Sequence, residues 1–268
     1  IVTSKGKKIF GDKYILVSGA SVTDLLYDSK IDIKIPRVFY GIGASINLEN
    51  IGGQINNCIR TPNRGLACGI YTVPFKSNIQ KEKLTLGATN YISTKPIFKA
   101  RANDVQSLLN SLINQINAYF YKSIIYNVNV GHRPTSLDTF PLIGETSIKS
   151  LIIGTGTKRD GFHLSPLISK ILESTINGEK KYKVYDCFKP ERNPINTFSR
   201  EEGIIKAIDH MMSAMYQHNF EPGIITTKSK LYDHIKQDLE KLHDKVGAYN
   251  WGIPTEMLDM YRYNHQNY

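Results

Sequence analysis

The apolar positions of this chain change period several times, and each change marks an element. Lys13-Tyr14-Ile15-Leu16-Val17-Ser18-Gly19-Ala20 is an apolar run ending in small residues, and Ser21-Val22-Thr23-Asp24-Leu25-Leu26 follows it. Together they predict a buried strand feeding a helix, as in α/β sheets. Residues 37–48, 68–74 and 83–89 are β-rich and separated by Gly, Pro and Asn, which predicts an antiparallel or mixed sheet. Between Ala102 and Tyr121 the residues Val105, Leu108, Leu109, Leu112, Ile113, Ile116 and Phe120 share one helical face, so a helix is expected across that sheet. A strand at 124–130, a Gly/Pro-punctuated loop at 131–146, a strand at 150–154 and a glycine-bearing turn then lead to a helix expected from Ser165 to Ile176.

From Tyr182 onward the character changes. Pro190 and Pro194 break a polar link, and Ser199-Arg200-Glu201-Glu202 has the form of a capping box. It opens a helix expected to turn Ile204, Ile205, Ile208, Met211, Met212 and Met215 inward, and a second helix is expected from Ser229 to Val246. At the other end, Ile1–Phe10 reads as two short strands and a turn. It is neither a signal nor a transit peptide, and entry into mid-sheet suggests that the start of a longer chain is absent.

Composition narrows the function classes. The 268 residues are 41% hydrophobic and 22% charged, an ordinary globular balance. No apolar run approaches the roughly 18 residues of a membrane span. Cys58, Cys68 and Cys187 form neither a CxxC pair nor a disulfide framework, which predicts a reducing, cytoplasmic setting. His210 and His218 lack carboxylates at ligand spacing, so no metal site is expected. The net charge of +10 is mostly scattered lysine without a reader motif, which argues for a solvated surface and against a nucleic-acid partner.

Two glycine stretches bear on chemistry. Gly41-Ile42-Gly43-Ala44-Ser45-Ile46 has the first two glycines of a dinucleotide fingerprint, but Ile46 replaces the third and no helix follows. Gly154-Thr155-Gly156-Thr157-Lys158-Arg159-Asp160-Gly161 does lie between a strand and a helix, without the GK[ST] ending of a phosphate loop. Gly156 and Gly161 permit close backbone approach, and the N–H groups opening the next helix favour an electron-rich ring there. A tight turn with no ligand is the alternative.

Gly131-His132-Arg133-Pro134-Thr135-Ser136-Leu137-Asp138-Thr139-Phe140-Pro141-Leu142-Ile143-Gly144, with Gly154 through Pro166, resembles the C-terminal flavin motifs of the D-amino-acid oxidase family of FAD-dependent oxidoreductases, in the manner of its glycine-oxidase-like members. Tyr71-Thr72-Val73-Pro74 and Leu86-Gly87-Ala88-Thr89 are similar to its substrate-domain strands, and Val17-Ser18-Gly19-Ala20 to a late flavin-domain strand. The resemblance covers about residues 1–180 and lacks the family's N-terminal GxGxxG unit. It implies a C-terminal portion, or one half of a split enzyme, whose FAD-binding N-terminal partner lies in the same or a separate chain and is needed for activity.

The implied fold is α/β (α+β): a partial FAD-binding Rossmann-type domain from 1–30 and 131–180, a mixed or antiparallel substrate domain from 31–130, and a helical C-terminal extension from 181–268. The implied chemistry is hydride transfer from an amino acid or related amine to flavin, giving an imine that water hydrolyses. Substrate contacts fall on Arg133, Arg159 and Tyr71, since a guanidinium fork suits a carboxylate. Cofactor contacts fall on Gly19, Ala20, Gly156, Arg159, Asp160, Gly161, Phe162, His163 and Leu164. The structural alternatives are an ion pair of Arg133 with Asp138, a core place for Tyr71, a solvent-facing Arg159, and a helix-start role for His163. Two other functions stay open: a non-catalytic partner-binding subunit, and a 2-hydroxy-acid or polyol dehydrogenase of the same fold.

Overall fold

The computed structural model describes residues 1–53, 55–61, 69–77, 80–179, 181–217 and 225–265; Cys68 and His218 lie outside them. In chain order the first elements are β1 (Tyr14–Leu16), α1 (Val22–Asp28), β2 (Val38–Glu49), β3 (Ile59–Arg60), β4 (Tyr71–Ser77), β5 (Gln80–Gly87) and β6 (Tyr91–Ser93). Next come α2 (Ala102–Gln115), β7 (Ile125–Ser136), β8 (Leu142–Glu145), β9 (Leu151–Thr155) and α3 (Gly161–Ile176). The last helices are α4 (Arg200–Gln217), α5 (Ile225–Lys245) and α6 (Leu258–Arg262). They form two compact units, Ile1–Tyr40 with Arg133–Ile195, and Gly41–His132 with Asn196–Asn267.

The first unit has a three-stranded sheet in the order β1-β9-β8. β1 and β9 run parallel, with Tyr14 beside Leu151 and Leu16 beside Ile153, and β8 is antiparallel to β9. Because side chains alternate across a strand, Leu142 and Ile153 face one way and pack with Val22 and Leu26 of α1, Ile33, Ile35 and Val38. Ile143 and Ile152 face the other way and pack with Ile171 and Leu172 of α3. A helix thus covers each face, the layering expected of a parallel pair. Thr23 Oγ1 accepts the Val38 N–H at 2.9 Å, and the Tyr40 hydroxyl donates to Asp24. Burial, reinforced by that carboxylate, raises the Tyr40 pKa.

Helix α3 starts at Gly161, earlier than the expected Ser165. Pro166 lies inside it, and proline lacks the N–H that would reach the carbonyl four residues back. Here that carbonyl, of Phe162, accepts from the Ser165 hydroxyl at 2.9 Å. Strand β7 likewise runs on to Ser136, through the first six residues of the expected 131–146 loop, and β8 takes up Leu142–Glu145 of it. At the N-terminus the expected pair of strands reduces to one antiparallel bridge, Val2 to Lys8.

The second unit is built on a six-stranded sheet with the order β3-β4-β5-β2-β6, and β7 also pairs with β2. One face carries Ile46, Leu48, Leu84 and Leu86, buried beneath Leu108 and Leu112 of α2 and Phe120. On α4, Ile204, Ala207, Ile208 and Met212 are buried, at three- and four-residue spacing. Ile205 is exposed, and Met211 and Met215 are half-buried, so the inward face is narrower than the sequence suggests. The capping box forms as expected: Ser199 N–H donates to Glu202 at 2.8 Å, and Glu202 N–H to Ser199 Oγ at 3.3 Å.

Two contacts fix the C-terminal helices. A Cβ on Gly252 would lie 2.6 Å from the Ser199 carbonyl and 2.7 Å from Gly203 Cα, so backbones meet there with no room for a side chain. His243 is fully buried; its Nδ1–H donates to Leu239 O at 2.8 Å, and its Nε2 accepts the Ile253 N–H at 3.0 Å. The bond accepted by Nε2 needs the neutral ring, and burial lowers its pKa from the ordinary 6.5. Stability from this group is therefore complete above about pH 6.5 and is lost as pH falls through the lowered folded value. Urea unfolding from pH 7.5 down to 5 should show a decline that His243→Gln lacks. Gly252→Ala should cost roughly 1–3 kcal/mol in the same assay, because backbone has to move.

Candidate functional site

Parallel pairing of β1 with β9 puts the carboxyl ends of both strands at one edge of the first unit, and each strand continues into a helix there. Such an edge, with helix N-termini converging on it, is where open α/β sheets bind ligands. The turn after β1 holds Gly19 and Ala20; the turn after β9 holds Gly156, Arg159 and Asp160, and α3 opens with Gly161, Phe162, His163 and Leu164. Thr155 Oγ1 joins the two turns by donating to the Gly19 carbonyl at 2.8 Å. Arg133 reaches the same turn through its neighbour, since the Lys158 N–H donates to the Pro134 carbonyl at 2.8 Å. The structure thus gathers every expected site residue except Tyr71 around one strand edge. Tyr71 lies in the second unit.

The backbone of this site is set internally. Gly156 has φ +78°, and a Cβ there would meet Phe140 O at 3.0 Å and Leu142 N at 3.2 Å. The close approach expected for a ligand at Gly156 is therefore made by the protein's own backbone. Gly161 has no positive φ, and its Cβ would meet only Thr157, at 3.0 Å. Gly19, at φ +63°, faces open space.

The side chains of the outer turn are exposed: Arg159, Asp160 and His163 are open to solvent, and Phe162 is 99% exposed. Asp160, at the N-cap of α3, makes no side-chain capping bond. The first N–H groups of a 16-residue helix therefore lack that cap, which suits negative charge by about 0.3–1 kcal/mol at an exposed site. This donor set, with the clear space over Gly19, fits the electron-rich end of a flavin. Tyr71 is 38% exposed, outside the core; its ring lies across Gly87 on the neighbouring strand, where a Cβ would fall 2.5 Å from the hydroxyl. Among the described residues no cluster of His, Cys, Asp and Glu could hold a metal.

Sequence reading missed the part that braces the 131–142 segment. Asp138 is fully buried, and its carboxylate accepts from the Phe140 N–H at 3.0 Å, the Ile195 N–H at 3.1 Å and Arg192 Nη2 at 2.8 Å. The Ser136 hydroxyl lies 2.9 Å from the same carboxylate and 2.5 Å from Phe140 O. The residue weighed as a partner for Arg133 is thus engaged by Arg192, which also donates to the carbonyls of Phe188 and Lys189. Phe188 in turn stacks on Phe140 with centroids 6.0 Å apart. Arg192 had no motif to mark it, and 54 residues separate it from Asp138.

A family model described as FAD dependent oxidoreductase matches residues 1–174. The chain belongs to this family. Its fold is similar to iminodiacetate oxidase from Chelativorans sp., with TM-score 0.57 and 20% identity, over 71% of this chain and 49% of that one. Glycine oxidase from Geobacillus kaustophilus gives TM-score 0.57 and 20% identity, over 68% and 45%. L-proline dehydrogenase from P. horikoshii gives 0.52 and 16%, over 66% and 46%. At these identities the likeness is one of fold, and the chain spans about half the length of those structures. No curated protein matches the sequence. As an FAD-dependent oxidoreductase chain of mixed α/β fold, it has no described helix long and apolar enough to cross a membrane.

Removing Arg192 would leave the Asp138 charge buried without its counter-ion, so Arg192→Ala should cost about 3–5 kcal/mol, whereas an exposed pair is worth less than about 1. Chemical denaturation of Arg192→Ala, Asp138→Asn and the double variant checks this. The expected signature is a double variant less damaged than the sum of the singles.

Proposed function

We propose that this chain supplies the flavin-ring side and the substrate side of an FAD-dependent enzyme that oxidises an amino acid or a related amine. The observation that carries the reading is the shared edge of β1 and β9, where two strand-to-helix turns and the Arg133-Pro134 segment are hydrogen-bonded into one surface. Residues 1–30 and 131–180 act as the partial FAD-binding domain, and 31–130 as the substrate domain. The N-terminal, ADP-binding portion is contributed by the same or a separate chain. The two free cysteines described, Cys58 and Cys187, are exposed, which accords with a cytoplasmic setting.

In this reading Gly19, Ala20 and the 156–164 turn hold the ring, with backbone N–H groups of α3 toward its electron-rich edge. The cofactor, when bound, supplies the acceptor for a hydride from the substrate carbon. Arg133 binds the substrate carboxylate with two parallel N–H bonds and so fixes which carbon faces the ring. Arg159, exposed on the same turn, adds positive charge beside that carboxylate. Orientation is the protein's main contribution, because hydride transfer needs alignment more than a strong acid or base.

The test is flavin absorbance and turnover of the complete enzyme. Arg133→Lys keeps the charge and loses the fork, so kcat/KM should fall about 30- to 1,000-fold, roughly 2–4 kcal/mol, with FAD content unchanged. Unchanged kinetics would reassign Arg133 to a structural role. Gly161→Ala meets only a threonine side chain in the protein, so its melting temperature without FAD should stay near wild type while FAD affinity drops. Parallel melting curves for the two proteins across an FAD titration would remove the ring from this turn.

A further inference from the structure

Helix α4 carries three of the chain's five methionines, and they do not share one environment. Met212 is buried with Ile204 and Ile208, whereas Met211 and Met215 are half-buried on the flank. Those two line a cleft of about 920 Å³ within the second unit, together with Leu231 of α5 and Leu258 of α6. Core packing accounts for Met212 and leaves the other pair unexplained. Flexible thioether side chains on an open wall suit an apolar guest of variable shape. The volume is at the upper end of the roughly 300–1,000 Å³ usual for small-ligand sites, which favours an occupant larger than a free amino acid.

Charge of both signs lines the same cleft. The Arg101 guanidinium lies 3.6 Å from the centroid of the Tyr91 ring, which holds its planar fork in place. Glu256 and Asp259 supply the acidic counterpart, Asp259 standing 3.7 Å from Arg262 Nη1. The Tyr91 hydroxyl is shut away from solvent without a hydrogen-bond partner, a cost the fold carries at this wall.

We propose that this cleft binds a short apolar peptide of about dipeptide size through both of its free ends. Arg101 pairs with the C-terminal carboxylate, Glu256 and Asp259 with the N-terminal ammonium, and Met211, Met215 and Leu231 take up the side chains. The site lies outside the flavin turns and does not depend on the oxidoreductase reading.

The experiment is a titration of the full chain, labelled with 13C at the methionine methyl groups, with L-leucyl-L-leucine in the presence and absence of FAD. Saturable shifts are expected at Met211 and Met215, while Met212 and Met257, buried in the core, stay in place and report that the fold is intact. Arg101→Gln, and separately the end-blocked N-acetyl dipeptide amide, should each weaken binding tenfold or more. No saturable shift at Met211 and Met215, or equal binding by the end-blocked form, overturns the proposal. Loss of binding in Arg133→Lys but not in Arg101→Gln also overturns it, by moving the peptide to the proposed substrate site. Failure to bind FAD alone would count against the flavoenzyme reading and leave these shifts as they are.

Discussion

The parallel pairing of β1 with β9 is the constraint from which the candidate site follows. A hairpin cannot join parallel strands, so the chain must leave β1 and return to its starting end before β9 can be laid down. Here the excursion contains α1, the whole six-stranded sheet and α2. Its consequence is chemical: two strands entering from the same end must both exit at the other, and both exits become helix N-termini. An antiparallel β1 would have sent Gly19 to the opposite edge from Gly156.

Placing the turns together is not enough to give them a shape, and the structure spends several interactions on that. Thr155 holds Gly19, Lys158 holds Pro134, and Gly156 lets the two motif segments pack so closely that a Cβ there would lie 3.0 Å from the Phe140 carbonyl oxygen. Behind them the Asp138 carboxylate gathers donors from residues 140, 192 and 195. A buried carboxylate served by several donors is tolerable only if all of them are in place, so the network defines one arrangement of the turn rather than merely adding stability. The aromatic run from Tyr182 to Phe188 is part of the same bracing, since Phe188 stacks on both Tyr185 and Phe140.

Much of this was legible in the sequence, and what was not has a common physical cause. The strand-to-helix runs at 13–28 and 150–176, the face of α2 and the capping box at Ser199 are local patterns, and each produced the element its periodicity or cap chemistry predicts. The start of α3 read four residues late, at Ser165, whose hydroxyl serves the Phe162 carbonyl that Pro166 cannot reach. The inward face of α4 read too wide because Ile205, Met211 and Met215 look apolar whether or not anything covers them. Arg192, the His243 tautomer and the Gly203–Gly252 crossing depend on contacts between distant residues that leave no local signature. For the candidate site, the glycines and Arg133 were visible through motif resemblance, while the groups that position them were not.

The division between braced backbone and open side chains has a chemical logic of its own. Donors aimed at developing charge are effective when they need not reorganise, and backbone N–H groups locked in a helix terminus meet that condition better than long side chains. The outer turn shows this split: the N–H groups of Lys158, Asp160 and Leu164 bond within the protein, whereas the side chains of Arg159, Asp160, Phe162 and His163 are exposed. A fully exposed phenylalanine beside uncapped helix donors is poorly served by water, which hydrates the N–H groups but not the ring. A flat, electron-rich partner would serve both, by covering the apolar ring while accepting from the helix. That complementarity would belong to residues 156–164 themselves, and it would make this turn a binding surface rather than a connection.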